Sequence, residues 1–157
     1  MPSSLKRRLR NQQLSNNPPF TPLNDTHIVL VNKATDTNIL HELVRMAQST
    51  KYFSIDTESD LFTSCPALIQ IEFIDPNFST IILIETCHLP ADKKSLKFWL
   101  IQSIFKYILA ERKTIFCWGC PIDELRKLLI YDLYKEEALI VVCFFLIYFF
   151  FYFISIH

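Results

Sequence analysis

An α/β architecture, a mixed sheet flanked by helices, follows from two observations. Apolar segments across residues 27–134 run in the order β-α-β-β-β-α-β-α, with three consecutive strands followed by alternating elements. Half of the 157 residues are hydrophobic, enough to build one core. The single glycine excludes a Gly-rich linker, a collagen repeat and any phosphate loop of the GxGxxG or Walker type.

The elements follow in order. His27–Asn32 (HIVLVN) is a short apolar strand. Residues 35–50 place Ile39, Leu40, Leu43, Val44 and Met46 near a helical period, with a Thr or Asp at hand as N-cap. Residues 52–59 (YFSIDTES) form a strand, as do 67–74 (ALIQIEFI), which alternate with a period of two. Asp75-Pro76-Asn77 is hairpin-turn chemistry and leads into a buried strand at 79–86. Residues 95–112 read as a long amphipathic helix with Trp99 and Phe105 in its buried stripe. Residues 114–119 (TIFCWG) make a further strand. Pro121 stands at a natural first helical position and opens a helix over 121–134.

Three regions result. Residues 1–26 form a polar arm with no apolar period, expected to be disordered. The 16 basic and 16 acidic residues balance, but unevenly: residues 1–24 hold Lys6, Arg7, Arg8 and Arg10 and no acid. The run Lys6–Arg10 reads as a solvated tail, a nuclear address or a phosphate-contacting patch. The body spans 27–137. Residues 138–157 form a hydrophobic tail, and 138–156 carry no charge and no proline. As a helix rising about 1.5 Å per residue, that stretch reaches about 28 Å, the thickness of a bilayer's hydrocarbon. A membrane anchor and a buried element completing the sheet both stay open. No apolar leader precedes the five cysteines, an odd number, so reduced thiols and an intracellular setting are expected.

Two motifs carry chemistry. In Ile55-Asp56-Thr57-Glu58 the acids stand at i and i+2, so a strand presents both carboxylates on one face. Like charges that close are costly unless a cation neutralises them, and hard divalent ions take carboxylate oxygens. Asp60 is one step further along and extends the acidic rim; the plain alternative is a solvated strand end. The second motif, Cys117-Trp118-Gly119-Cys120-Pro121-Ile122-Asp123-Glu124-Leu125, leaves a strand through the only glycine and enters a helix. Asp123 falls in the first turn, where the helix dipole favours an acid, and it is also a candidate third carboxylate.

FSIDTESD, then ALIQI, then an apolar strand, a helix and TIFCWGCPIDELRKLL together resemble the ribonuclease D-like 3'-5' exonuclease domain. This is the DEDD group on a ribonuclease H-like fold, and the resemblance spans about residues 27–131. It implies that Asp56 bridges two metal ions (Mg²⁺ or Mn²⁺), that Glu58 holds the ion activating water, and that Asp123 assists at the other. It also implies single-stranded DNA or RNA as partner, held by phosphate contacts and base stacking. The family's third motif, a Tyr or His with a final Asp, has no match here, since no acid follows Glu137. The domain is therefore expected to be incomplete at its C-terminal end, with activity impaired by the missing fourth carboxylate. A catalytically silent nucleic-acid-binding or scaffold protein on the same fold is the alternative, tail-anchored if 138–156 spans a membrane.

Other patterns compete. Cys117-x-x-Cys120 has redox spacing at a strand-to-helix turn, where a thiolate would be stabilised. Cys87-His88 offers two zinc ligands and needs two more.

Overall fold

The computed structural model describes residues 25–76, 78–117 and 120–139. Its strands are β1 (Asp25–Val31), β2 (Tyr52–Ser59), β3 (Pro66–Ile74), β4 (Phe78–Glu85) and β5 (Thr114–Cys117). They form one mixed sheet in the order β1-β4-β3-β2-β5. The pairs β2/β3 and β3/β4 are antiparallel, while β1/β4 and β2/β5 are parallel. The antiparallel meander β2-β3-β4 thus gains a parallel strand at each side, β5 beside β2 and β1 beside β4. This topology places the carboxyl ends of β1, β4, β2 and β5 along one edge of the sheet. In open α/β sheets that edge is where ligands bind.

Alternation sets the two faces. Phe53 and Ile55 of β2, Ile69, Ile71 and Phe73 of β3, and Ile82 and Ile84 of β4 point to one side, each at most 2% exposed. Phe53 and Phe73 meet edge to face at 5.3 Å. Helix α1 (Thr37–Ser49) adds Leu40, Leu43 and Ala47 to the same core, and α2 (Leu96–Ile108) adds Phe98, Leu100, Ile101, Ile104, Phe105 and Ile108. Each large apolar side chain moved from water into such a core stabilises the fold by about 1.5–3 kcal/mol. The other face is open among the described residues. Ile28, Leu30 and Phe116 lie on it, 61%, 50% and 52% exposed, and the register aligns Leu30, Leu83, Gln70 and Asp56 across it.

Both long helices start on side-chain caps. Asp36 accepts from the Asn38 amide at 2.7 Å, and Ser95 accepts from the Phe98 amide at 3.3 Å. Such a cap stabilises a helix by about 1 kcal/mol.

Several expectations need correction. β1 begins at Asp25, inside the arm expected to be disordered. Helix α2 stops at Ile108, short of Arg112, which has a left-handed φ of 64°. On α2, Phe105 is buried but Trp99 is 57% exposed, outside the stripe assigned to it. The expected helix over 121–134 is only α3 (Pro121–Arg126), followed by a 3-10 turn at Leu129–Tyr131. Two tyrosine hydroxyls explain the break. Tyr131 donates to the Pro66 carbonyl at 2.5 Å and Tyr134 to the Leu125 carbonyl, with Asp132 left-handed between them at φ 56°. Tertiary hydrogen bonds outweigh the local helical period there.

The basic run Lys6–Arg10, residues 140–157 of the tail, Asn77 of the hairpin turn, and Trp118 and Gly119 lie outside the described residues. Among the described residues no helix is long and apolar enough to cross a membrane. Leu139, early in the tail, is 4% exposed and belongs to the core.

Candidate functional site

Asp56 and Glu58 stand at the carboxyl end of β2, next to the centre of the sheet. They pair with Gln70 and Leu68 of β3, and their side chains point to the open face. Both are exposed, and neither has a hydrogen-bond or ion-pair partner among the described residues. Two unpaired carboxylates on adjacent same-face positions are a hard oxygen donor set suited to Mg²⁺ or Mn²⁺.

Asp60 does not extend this rim. The ladder shifts register between Glu58 and Ser59, and the Asp60 carboxylate turns into its own loop. It accepts from the Phe62 and Thr63 amides at 3.0 and 2.8 Å and from the Thr63 hydroxyl at 3.0 Å. These bonds hold its carboxyl below the ordinary aspartate range, the Thr63 amide contributing most. The loop so fixed lifts Leu61 and Phe62 into solvent, 88% and 92% exposed.

Asp123 sits in the first turn of α3 with its side chain 68% exposed and Arg126 at 3.8 Å. Its neighbour Glu124, not singled out from the sequence, is the acid that faces the sheet. Its side chain is 17% exposed. One oxygen accepts from Thr57 Oγ1 at 2.5 Å, and the other from Lys127 Nζ at 2.6 Å. Lys127 first, then Thr57, holds the Glu124 carboxyl below the usual range. A period-of-two reading puts Thr57 on the core face; what it meets there depends on how α3 docks, which no local pattern encodes. Among the described residues no three His, Cys, Asp or Glu side chains cluster to hold a metal ion, so Asp123 is not drawn into one group with Asp56 and Glu58. Cys87 and His88 form no such cluster either, and His88 pairs instead with Glu85 at 3.0 Å.

Cys117 ends β5 on the core face. Burial pushes its thiol up to about 11, helped by the carboxylates of Glu124 and Asp56. This is the reverse of the stabilised thiolate that redox chemistry at this turn requires. Cys117 and Cys120 are both free thiols.

No protein-family model and no curated protein matches the chain. Solved structures align with it, among them the following two. One is the EXD2 exonuclease domain soaked in Mg and GMP, with TM-score 0.49 and 20% identity over 68% of this chain and 51% of that one. The other is the EXO domain of Aedes aegypti Nibbler, with TM-score 0.49 and 9% identity over 75% of this chain and 52% of that one. The chain spans about half the length of each.

Proposed function

We propose that the chain is a 3'-5' exonuclease domain that hydrolyses phosphodiester bonds at the 3' end of single-stranded nucleic acid. The observation that carries this reading is the pair Asp56 and Glu58, side by side at the carboxyl end of β2 and without a partner among the described residues. These two acids would hold divalent ions, and Asp123, expected from the sequence to assist, stands apart on α3 beside Arg126. When bound, such ions supply charge stabilisation to the attacking and leaving oxygens at phosphorus. The chain's own part is to present the carboxylates on a rigid strand and to leave the sheet face in front of them open for a strand end. Phe62, 92% exposed on the loop that follows, supports a stacking contact with a base.

The silent binding or scaffold protein keeps one observation in its favour, the lack of a third ligand beside Asp56 and Glu58 among the described residues. Incubation of the full chain with 5'-labelled single-stranded DNA and RNA in Mg²⁺ or Mn²⁺ separates the two. The enzyme reading expects a ladder shortened from the 3' end, slowed about a thousandfold or more in Asp56→Asn and Glu58→Gln, the size of losing several kcal/mol of charge stabilisation. Intact strands, bound equally by wild type and Asp56→Asn, contradict it and leave the binding protein.

A further inference from the structure

The β2 residues that carry the acids lie towards the end of the strand. Among the described residues, pairing with β5 runs from Tyr52 opposite Thr114 to Ile55 opposite Cys117. On the other side, the ladder with β3 shifts between Glu58 and Ser59. Helix α3 contacts both β2 and β5. The bond that joins α3 to the strand is Thr57 Oγ1 to Glu124 Oε2 at 2.5 Å, across 67 positions of sequence. Thr57 is the residue between Asp56 and Glu58, and Glu124 is the residue after Asp123. The far oxygen of Glu124 is taken up by Lys127 at 2.6 Å, which fixes the carboxylate's rotation. The turn after α3 is tied down in its own right: Tyr131 donates to the Pro66 carbonyl at 2.5 Å, opposite Ser59 in the ladder.

We propose that Glu124 is a positioning residue. Through Thr57 on one side and Lys127 on the other, it sets the register between the helix that carries Asp123 and the strand that carries Asp56 and Glu58. Thr57 points to the core face while its two neighbours point to the open face, so anchoring Thr57 fixes the twist of the strand without occupying either acid. Glu124 itself touches no metal or substrate in this role. The inference rests on the reading of Asp56 and Glu58 as a metal-binding pair.

Calorimetric titration of the full chain with Mn²⁺ alone tests it, with thermal melting of each variant alongside. Thr57→Val, which removes one hydroxyl at nearly constant shape, and Glu124→Ala are each expected to weaken Mn²⁺ binding about tenfold, as loss of an orienting partner does at metal sites. Thr57→Ser restores it. The double variant is no weaker than the weaker single one, because both remove the same bond. A purely structural role lowers the melting temperature but leaves the affinity of the folded protein unchanged. Wild type that binds no Mn²⁺ overturns the metal-site reading and this inference with it. Wild type that binds while Thr57→Val retains full affinity overturns the positioning role alone, whether or not Glu124→Ala folds.

Discussion

Tyr134 and Cys117 are held protonated by burial. The Tyr134 hydroxyl donates to the Leu125 carbonyl at the end of α3, and burial raises it well above the ordinary phenol range, with Cys117 adding to the effect. Both groups have folded values above their unfolded ones. Their stabilising contribution is therefore complete below about pH 9 and lost as the pH rises past the unfolded thiol and then the unfolded phenol near pH 10. Lys113, lowered by burial, acts in the opposite sense over the alkaline range. Tyr134→Phe isolates the phenol. It is expected to cost about 1 kcal/mol at pH 7, the net value of one hydrogen bond, and to flatten the fall in stability above about pH 10, where the unfolded phenol ionises. Urea midpoints across that range check it; an unchanged alkaline slope contradicts it. At this scale the sequence exposed Asp56 and Glu58 through their spacing, but it could not choose between Asp123 and Glu124. Adjacent helical residues point about 100° apart, and which of the two meets Thr57 is fixed by tertiary docking.

Among the elements, α1 depends on a residue far from it in sequence. Lys113, just before β5, donates from Nζ to the carbonyls of Ala47 at 3.2 Å, Gln48 at 2.8 Å and Thr50 at its C-terminal end. The last carbonyls of a helix have no partner within it, and a cation there is favoured by the dipole. α1 has no basic residue in its own last turn, so Lys113 serves in its place. Lys113→Met, which keeps the stem and removes the ammonium, is expected to destabilise by about 1–3 kcal/mol and lower the melting temperature by several degrees. An unchanged melting curve refutes the cap. Strand β2 is read from sequence to the residue, because alternation and flanking breaks agree. The helix after Pro121 is overread: Leu125, Leu128 and Leu129 keep a helical period, but Tyr131 donates to the Pro66 carbonyl of β3 and Tyr134 back to the Leu125 carbonyl of α3. Helical periodicity reports which side chains want burial, not where a hydroxyl will bond.

For the whole molecule, element order was legible and neighbour order was not. Alternation says which face a residue takes; it does not say that β1 crosses to pair in parallel with β4 at the far edge of the sheet. That pairing matters because it extends the open face to Ile28 and Leu30, giving a surface with apolar residues toward one edge and the acids Asp56 and Glu58 toward the other. The proposed activity depends on that acidic end attracting a divalent ion. Paramagnetic broadening by Mn²⁺, followed by NMR on the full labelled chain, tests it most directly. At substoichiometric Mn²⁺, signals of Ile55 through Ser59 are expected to vanish first, those of Leu40 and Ile104 in the core to persist, and the effect to disappear in Asp56→Asn/Glu58→Gln. Broadening that spares residues 55–59, or that survives in the double variant, contradicts the account.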